Sequence, residues 1–599
     1  MKAIVLAAGQ GARLRPLTDR AHKSLLPVAG STILGRIMKG LHDLGIAEVI
    51  VVTGYRSGDV RRYLEEHDPG LPVRFVHNAR YKETNNIVSL AMALDSMEID
   101  SDVVLVECDV LFDPAVLVRL ASPERGNIAL LDRYRPGMDG TVVSVEAGLV
   151  THVFPAHLQT EDFDYSGKFK TLNIYRFDRD FCRKRLQPLL SCYANVIDSG
   201  CYYELVLGML INMQREVVRA EIVDGSQWAE VDDPNDLAAA RFIFEPASRA
   251  QILDRAKGGH WNFPLLDFNF IRNMYFPTDA MMAAMRRALP SLVHSYGSAQ
   301  CVLNEKLSYV LQCAPERVQC LNGAAQIYPQ LQSLLRPQRV LLPSPTFGEY
   351  ERWLGTGADF YTDAVGIDEQ ALAARAGEYD LVVVVNPNNP TGSVVPTSWL
   401  HALAAAHPGT TFLVDESFAD FAAQPSLREH LERLALPNVL IVASLSKSLG
   451  VPGLRLGYVY SCDTDLIARI GAGIPIWNLG SPAEFLLETV LKFKSELAAS
   501  FPRTAADRCD FLRALKPVPG IRKVYPSAGN FLLFRLDGDQ PGHARWVTEN
   551  LLARHSIYLK DVSSRFPHPG AYLRAAVRTP AENHRLVDAL TTCLAEMPR

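Results

Sequence analysis

Short apolar runs alternate with helical patterns along the first 110 residues of the chain. The run AIVLAA is followed by a glycine turn and a helical stretch, and similar runs follow at 48–55, 73–78 and 102–109. Uninterrupted apolar runs are typical of strands buried on both faces of a parallel sheet. The alternation predicts a mostly parallel sheet with helices on both faces. It continues less regularly to about residue 240.

The stretch EPASRAQILDRAKGGHWNFP (245–264) interrupts this pattern with proline, glycine and polar residues and predicts a domain boundary. Beyond it the alternation returns, with apolar runs at 339–345, 380–387, 410–416 and 438–446. From about residue 500 the pattern favours a smaller α+β lobe. We therefore predict an α/β chain with a first domain at 1–243, a linker at 244–260 and a second, two-lobed domain at 261–599.

Composition narrows the class of protein. The chain is 48% hydrophobic and 21% charged, and its net charge of −5 provides no basic field for nucleic acid. The ten cysteines form no CxxC pair and no cluster with histidine, which argues against a zinc site and a disulfide framework. The apolar runs are too short to span a bilayer, and the first residues resemble a strand rather than a signal peptide. We expect a cytoplasmic protein with no membrane or nucleic-acid partner.

The segment VASLSKSLGVPGLRLGYV (442–459) carries an amine, small hydroxyls and a guanidinium close together. Lys447 follows an apolar strand, where poor solvation lowers the pKa of an amine and makes it a nucleophile toward aldehydes. Ser444, Ser446 and Arg455 are donors suited to a phosphate. An amine beside a phosphate site indicates pyridoxal phosphate as the cofactor.

Three further motifs fit that cofactor. Asp415, at the end of the strand in LVDESF, is an anion suited to the ring nitrogen. Asn389 in NPNNPTG is a donor for the phenolic oxygen of the ring. NGAAQ (322–326) is a small-residue turn entering a helix, whose backbone N–H groups suit a phosphate.

In this order, the motifs resemble those of the fold-type I pyridoxal-phosphate enzymes of the class I/II aminotransferase family, over roughly 260–599. The resemblance implies that Lys447 holds the cofactor covalently, Asp415 pairs with the ring nitrogen and Asn389 reaches the ring hydroxyl. It implies that Arg574 in YLRAAVRTPAEN grips the substrate carboxylate. It also implies a homodimer in which Tyr296 reaches the partner's cofactor. The remaining implied cofactor contacts are Gly323, Ala324, Ala325, Phe347, Ser444, Ser446 and Arg455.

One departure from the family pattern bears on the reaction. Many members have Asp-Glu-Ala-Tyr where this chain has DESF, so that Phe418 replaces the tyrosine. This resembles the threonine-phosphate decarboxylase branch, which is similar to histidinol-phosphate aminotransferase. The segment GGHWNFPLLDFNFIRN (258–273) resembles the start of that branch. Both branches take substrates that bear an amine and a phosphate. We expect decarboxylation, and transamination stays open.

The glycine-rich segment LAAGQGARLRPLT (6–18) points to a nucleotide. It has Gly9 and Gly11 but Leu14 where a dinucleotide fingerprint has its third glycine. Arg13 and Lys23 are cations suited to a triphosphate. The segment resembles the nucleotidyltransferase signature GxGxRxxPxT…PK, with His22 in place of the usual proline, over about 1–240. The resemblance implies a Rossmann-like domain with nucleotide contacts at Ala8, Gly9, Gly11, Arg13, Lys23 and Asn86.

Two carboxylates are candidate metal ligands. Asp109 ends the apolar run DVVLVECD, and Asp232 lies in WAEVDDPNDL. Oxygen ligands distant in sequence suit Mg²⁺ bridging to phosphates, and the matching pair binds the catalytic metal in the family that the segment resembles. Asp109 as a simple helix N-cap is the alternative.

The segment YKETNNIVSL (81–90) bears on the substrate. Thr84 or Asn85 as a helix N-cap is the plain interpretation, yet the segment resembles the phosphocholine and aminoalkylphosphonate cytidylyltransferases, which use CTP. An acceptor amine needs an anionic or aromatic site. Asp132, Asp139 and Glu204 stay open as candidates for it, and Lys168 and Lys170 as candidates for the acceptor phosphonate.

Together the halves predict a bifunctional enzyme. One half decarboxylates a phosphono- or phospho-amino acid, and the other caps the phosphonate or phosphate with CMP. This domain order resembles the bifunctional cytidylyltransferase/decarboxylases of phosphonate antibiotic pathways. Two alternatives stay open: a nucleotidyltransferase fused to a transaminase, and a chain with one degenerate, regulatory half.

Overall fold

The computed structural model describes residues 1–121, 126–213, 216–225, 227–538, 540 and 542–598. The chain divides into two compact units, Met1–Pro264 and Leu265–Arg599. Within the described residues, no helix combines the length and the apolar character that crossing a membrane requires.

The first unit alternates strands and helices as its apolar runs predict. Its strands are β1 (Lys2–Ala7), β2 (Pro27–Val28), β3 (Ser31–Thr32), β4 (Glu48–Thr53), β5 (Val73–His77), β6 (Val103–Glu107), β7 (Val110–Phe112), β8 (Asn127–Arg133), β9 (Val142–Glu146), β10 (Leu149–Phe154), β11 (Phe169–Phe177), β12 (Val218–Ile222) and β13 (Trp228–Glu230). Its helices are α1 (Leu17–Arg20), α2 (Ile33–Asp43), α3 (Ser57–Glu66), α4 (Asn86–Ser96), α5 (Ala115–Val118), α6 (Arg179–Phe181), α7 (Gln187–Cys192), α8 (Tyr203–Asn212), α9 (Pro234–Phe244) and α10 (Arg249–Ala256).

The main sheet of this unit has, among the described residues, nine strands in the order β5-β4-β1-β6-β11-β8-β12-β10-β9. The four strands from residues 1–110 are parallel to one another, as the alternation predicts. The other half is mixed, because β11 runs antiparallel to both β6 and β8. In β1, Val5 packs into the core on one face and Ile4 into the core on the other. Burial on both faces explains the unbroken apolar run.

Residues 244–260, expected to be a linker, fold onto the first unit. They include α10, where the buried Arg249 donates to the carbonyl of Phe242 at 2.7 Å and stacks over its ring. The first unit therefore extends to Pro264.

The second unit has a large and a small lobe, which confirms the predicted fold class. Its strands are β14 (Leu266–Asp267), β15 (Val318–Asn322), β16 (Val340–Ser344), β17 (Asp359–Thr362), β18 (Leu381–Val385), β19 (Thr411–Asp415), β20 (Val439–Ala443), β21 (Leu456–Ser461), β22 (Ile521–Val524), β23 (Phe531–Leu536), β24 (Ile557–Tyr558), β25 (Lys560–Asp561) and β26 (Tyr572–Ala576). Its helices are α11 (Asp279–Val293), α12 (Gln300–Leu311), α13 (Leu331–Leu335), α14 (Gly348–Leu354), α15 (Glu369–Ala376), α16 (Thr397–Ala406), α17 (Leu427–Arg433), α18 (Leu445–Ser448), α19 (Thr464–Ala472), α20 (Ser481–Val490), α21 (Lys494–Leu515), α22 (Gly542–His555) and α23 (Pro580–Ala595).

The large lobe is built on a sheet with the strand order β15-β21-β20-β19-β18-β16-β17 among the described residues. β17, β16, β18, β19 and β20 are parallel, and β21 is antiparallel to both of its neighbours. The small lobe is an antiparallel sheet, β22-β23-β26-β25, packed against α21, α22 and α23. In parallel sheets, loops at the carboxyl ends of the strands form the ligand sites.

Candidate active sites

In the first unit, a cavity of about 720 Å³ opens beyond the carboxyl ends of β1 and β6. It brings together residues from motifs more than 200 positions apart in the sequence. Its lining includes every predicted nucleotide and metal residue except Gly11, namely Ala8, Gly9, Arg13, Lys23, Asn86, Asp109 and Asp232.

Gly11 has a structural place in the turn beside this cavity. It adopts a positive φ of 58°, and a Cβ there would lie 3.0 Å from the Thr18 methyl group and 3.2 Å from Lys23 Cβ. A larger residue would strain the backbone and collide with both neighbours. The turn leads directly into the short 3₁₀ helix Ala12–Leu14, which carries Arg13.

Arg13, Lys23, Asp109 and Asp232 form one cluster of charges in the cavity. The Lys23 ammonium contacts Asp109 and lies 3.4 Å from an oxygen of Asp232. Arg13 donates to the other oxygen of Asp232 at 2.7 Å. Burial alone would lower the pKa of Lys23, but the neighbouring groups, foremost the Asp109 carboxylate and including that of Asp232, together outweigh burial and raise that pKa well above its usual value. Lys23 is therefore a fixed positive charge.

Neither predicted metal ligand serves as a helix cap. Asp109 lies in the turn between β6 and β7, and it is Asp233 whose side chain caps α9. Asp109 Oδ1 is buried without a hydrogen-bond partner. Among the described residues, no three His, Cys, Asp or Glu side chains stand close enough to hold a metal unaided. Such a pair suits a cation that completes its shell with water and phosphate oxygens, as Mg²⁺ does.

A second set of carboxylates lines the same cavity, formed by Glu107, Glu204 and Glu230. Burial raises the pKa of Glu107 and of Glu204, and raises that of Glu230 to about 7. Lys170, itself buried, pairs with Glu230 at 3.0 Å. Sequence reasoning missed Glu107 and Glu230. The available signal was their position two residues before Asp109 and Asp232, which places side chains on one face of an extended segment.

The candidates for binding the acceptor fall in different places. Asp139 and Glu204 line the cavity, whereas Asp132 does not. Asp132 instead accepts from the Trp228 indole at 2.7 Å and pairs with Arg135. Lys168 and Lys170 are also outside the lining, and the Lys168 ammonium lies over the Phe154 ring at 5.5 Å.

The Asn-Asn pair divides its roles between helix capping and the cavity. Asn85 caps α4, accepting from the backbone N–H of Asn86 at 2.8 Å. The Asn86 side chain donates to Glu107 at 3.2 Å and accepts from the backbone N–H of Tyr203 at 3.0 Å. Asn86 therefore ties α4, β6 and α8 together at the cavity wall.

In the second unit, the predicted cofactor residues gather at strand ends of the large sheet. Lys447 lies on α18, directly after β20, and its carbonyl accepts from the backbone N–H of Asn273 at 2.9 Å. Burial lowers the pKa of Lys447 to about 8, helped by the charges of Arg574 and Arg455 and opposed by Asp415. At one pH unit below this pKa, about a tenth of the amine is uncharged, as a nucleophile requires.

Asp415 ends β19 and is buried with two defined hydrogen bonds. It accepts from the Tyr350 hydroxyl at 2.7 Å and from the backbone N–H of Ser417 at 2.9 Å. Burial raises the pKa of Asp415, while these donors and the Lys447 charge lower it. The carboxylate is held rigidly where a protonated ring nitrogen could pair with it.

A cradle of backbone and guanidinium groups lies at the end of β15. Gly323 has a φ of 74°, and a Cβ there would stand 2.5 Å from Arg455 Nη2. Ala324 and Ala325 follow in the 3₁₀ turn Ala324–Gln326. The Ser446 hydroxyl donates to the carbonyl of Leu456 at 3.3 Å, and the Ser444 N–H donates to the Ser417 hydroxyl at 3.0 Å. Small residues and an arginine at a helical turn suit a phosphate group.

Arg574 joins this cofactor region to the small lobe. Its guanidinium donates to Asn389 Oδ1 at 2.8 Å and to the carbonyl of Asn269, and its Nε is buried without a partner. Burial lowers the pKa of Arg574 to about 10. Phe418 is buried, with its ring 5.1 Å from that of Phe531.

Two further predicted aromatic residues lie apart from this buried set. Phe347 is half-buried, 6.0 Å from the Tyr328 ring. Tyr296 is 79% exposed and stacks on Trp477 at 4.5 Å between ring centroids.

The chain thus combines a nucleotidyltransferase-type site with a pyridoxal-phosphate-type site. Residues 3–155 match the MobA-like NTP transferase domain, and residues 272–590 match aminotransferase class I and II. A CMP-5'-(3-aminopropyl)phosphonate synthase of Streptomyces rubellomurinus is 34% identical over 98% of this chain and 94% of its own length. By these matches the chain belongs to the family of that synthase, with an aminotransferase class I and II second unit.

Other relatives match a smaller share of this chain. An L-serine phosphate decarboxylase of Sulfurospirillum multivorans is 29% identical over 52% of this chain and 82% of its own length. The solved structure of a decarboxylase from the same organism covers 61% of this chain and 99% of its own, at 26% identity and a TM-score of 0.52.

Proposed function

We propose that this enzyme transfers CMP from CTP to the phosphonate of a small amino compound and decarboxylates a phosphono-amino acid with pyridoxal phosphate. One observation carries the proposal. The chain is similar over 98% of its length to a CMP-aminopropylphosphonate synthase, and within each unit charged residues of the predicted site lie close to one another.

In the transfer step, a phosphonate oxygen forms a bond to the α-phosphorus of CTP. The bond from that phosphorus to the bridging oxygen of the β-phosphate breaks, and pyrophosphate leaves. Arg13 and Lys23 are placed to hold phosphate oxygens and to offset the charge that develops on them. Fixed charges in a preformed cavity make this catalysis a matter of positioning and electrostatics.

The charges of the cavity support a divalent cation. The carboxylates of Asp109, Asp139 and Asp232 line it together with the cations of Arg13 and Lys23, and CTP brings further negative charge. Asp109 and Asp232 would hold Mg²⁺, which supplies neutralising charge at the phosphates. The buried, unpartnered oxygen of Asp109 fits that role.

For the decarboxylation, pyridoxal phosphate when bound supplies an electron-withdrawing ring that accepts the electron pair left at Cα. Lys447 would hold the cofactor covalently, because its pKa of about 8 leaves some free amine at working pH. Asp415 would pair with the protonated ring nitrogen. Arg574 orients the carboxylate of the substrate, and Arg455 with the Gly323–Ala325 turn holds the cofactor phosphate.

We also propose a cytoplasmic homodimer formed through the second unit. Tyr296 and Trp477, 79% and 51% exposed, present a stacked aromatic pair beside a groove of about 340 Å³ lined by residues such as Leu292 and Pro482. Exposed apolar patches of this kind mark interfaces. All ten cysteines are free, as in a reducing compartment.

Mass spectrometry of the reaction products tests the function. The protein is incubated with pyridoxal phosphate, Mg²⁺, CTP and 2-amino-4-phosphonobutyrate, with phosphoserine and phosphothreonine in parallel. A CMP adduct that has lost carbon dioxide but kept its nitrogen is expected. A CMP adduct of the intact amino acid, changed only when a keto acid is added, would identify a transaminase. No pyrophosphate from CTP with any of these acceptors would contradict the transfer activity.

A further inference from the structure

The cavity in the first unit is lined by a buried carboxylate, one oxygen of which lacks a hydrogen-bond partner. Glu204 lies in the first turn of α8, lines the cavity and is only 5% exposed. Its Oε2 is buried without a hydrogen-bond partner. An ionised carboxylate is costly to bury unless a partner arrives, so this oxygen is placed to receive one from a ligand.

The neighbouring donors have their closest contacts with other groups, although the Asn86 amide and the Lys170 charge also favour the ionised form of Glu204. The Lys170 ammonium donates to Glu230 at 3.0 Å and to the carbonyl of Thr171 at 2.9 Å. The Asn86 amide donates to Glu107 at 3.2 Å, and the Asn173 amide donates to Glu230 at 3.1 Å. Glu204 is thus the one of these three glutamates that has a buried oxygen without a hydrogen-bond partner.

The surroundings of Glu204 favour a cation as its partner. Glu107 and Glu230 line the same cavity and offer further oxygen acceptors to a cationic group. Tyr202, two residues before Glu204 in the chain, also lines the cavity and is 55% exposed. The face of a phenol ring attracts cations. Among the described residues, no group of three acidic or ligating side chains stands ready to hold a metal ion unaided.

We propose that Glu204 receives the ammonium group of the acceptor and thereby selects amino-bearing phosphonates over those without an amine. This inference rests on the proposed CMP transfer and names the residue that sets its acceptor class. The cavity then holds a zwitterion by both ends, with Arg13 and Lys23 available to the phosphonate and Glu204 to the amine. The neutral, near-isosteric substitution Glu204→Gln removes the charge with little change in volume.

Steady-state CMP transfer with two acceptors tests the proposal. The acceptors are 3-aminopropylphosphonate and propylphosphonate, which differ only in the amine. Loss of one partner of a buried charge pair lowers affinity by roughly 30-fold to several-thousand-fold. We expect Glu204→Gln to raise KM for the amino acceptor about 100-fold, leave kcat within a few-fold, and leave propylphosphonate kinetics unchanged.

Glu221→Gln is the matched control, since Glu221 lies on β12 of the same sheet and outside the cavity lining. It should retain the wild-type preference. Equal preference for the amine in wild-type and Glu204→Gln protein would overturn the inference, while absence of transfer by the wild type to either acceptor would instead overturn the proposed function.

Misfolding of the Gln variant would show as loss of CTP binding in calorimetry. The Glu204→Asp variant is then tested instead, because it keeps the negative charge but shortens the side chain by one methylene. We expect the Asp variant to favour amino over non-amino acceptors with a raised KM for 3-aminopropylphosphonate. A wild-type KM for that acceptor would contradict the role of Glu204.

Discussion

The Asn389 side-chain oxygen accepts a hydrogen bond from the Arg574 guanidinium at 2.8 Å. The sequence predicted the first residue at the cofactor ring and the second at the substrate carboxylate, with no indication that they touch. A second bond from Arg574 to the carbonyl of Asn269 leaves the guanidinium little freedom. The loop after β18 and strand β26 therefore fix each other at the centre of the second unit.

Replacement of Asn389 should consequently affect substrate binding as well as cofactor binding. Hydrogen bonds to charged groups contribute about 1.5–3 kcal/mol, so Asn389→Ala should raise KM for the phosphono-amino acid by about tenfold or more. Cofactor affinity should fall as well, and CMP transfer by the first unit should be unchanged. Decarboxylation kinetics and cofactor titration measure these effects. Asn550→Ala, on α22, is the control; a variant with wild-type KM would show that Arg574 keeps its position without Asn389.

The lowered pKa of Lys447 predicts how cofactor capture depends on pH. Only the neutral amine attacks an aldehyde, so the rate at which apo-protein captures pyridoxal phosphate should rise with pH through a midpoint of about 8. Removing the positive charge in Arg574→Met should raise the pKa of Lys447, move the midpoint upward and slow capture at pH 7.5. Trapping the bound cofactor by borohydride reduction, followed by mass spectrometry, gives the rate.

Arg433→Met is the control for charge in the same unit, because Arg433 is exposed on α17 and is not among the groups that shift Lys447. It should leave the midpoint unchanged. A midpoint above 10 in the wild type would mean that Lys447 is well solvated, contrary to its burial.

The carboxylates Asp109 and Asp232 should be needed for CMP transfer but not for decarboxylation. Asp109→Asn or Asp232→Asn should lower CMP transfer by about 100-fold or more, because the amide cannot neutralise charge at the phosphates. Decarboxylation should continue at the wild-type rate. Asp109→Asn should also destabilise the first unit by about 2 kcal/mol, since it removes the closest counterion of the buried Lys23.

Measurements of pyrophosphate release test the effect on CMP transfer, and thermal unfolding tests the effect on stability. Asp43→Asn, an exposed carboxylate at the end of α2, should change neither. Normal transfer by both single variants, together with an unaltered response to chelators, would exclude these two residues as metal ligands.

The turn at Gly323 should be sensitive to a single methyl group. Gly323→Ala places a Cβ 2.5 Å from Arg455 Nη2 at a φ of 74°, so the guanidinium must move and the backbone is strained. We expect the apparent Kd for pyridoxal phosphate to rise about tenfold or more. Gly409→Ala is the matched control, since a Cβ there meets nothing within 4 Å. Equal cofactor affinity in both variants would place the phosphate elsewhere.

The strands were predictable from the sequence wherever both faces are buried. β18 shows why, since Val384 packs into one core and Val383 into the other, and no polar residue interrupts the run. β12 lies in the mixed half of the first sheet and is mostly half-buried, so its short sequence carries no comparable signal. The antiparallel pairings of β11 also depend on contacts that no local pattern reports.

In the candidate sites, too, some residues were predictable from the sequence and others were not. Lys23 and Lys447 belong to motifs with a local signature; Lys23 lines the cavity of the first unit, and Lys447 lies on α18 directly after β20. Acceptor recognition had no such signature, because Asp132 and Glu204 are both single acidic residues in apolar surroundings. Only the tertiary structure shows that the Trp228 indole donates a hydrogen bond to Asp132, whereas Glu204 lines the cavity. Glu107 and Glu230 lie in strands, and from the sequence alone an acidic residue in a strand would ordinarily be expected to face solvent.

The proposed homodimer gives the last prediction, because Tyr296 and Lys447 would then serve one site from different subunits. Lys447→Ala should abolish decarboxylation, and Tyr296→Ala should weaken cofactor binding and lower activity by about tenfold or more. When the two variants are unfolded, mixed and refolded together, mixed dimers contain one site with both residues intact. Decarboxylation should therefore return to a substantial fraction of the wild-type rate, while neither variant refolded alone recovers it. Lys492→Ala, an exposed lysine in the same unit, should be fully active throughout. If the mixture is no more active than the average of its parents, Tyr296 acts within its own chain or not at all.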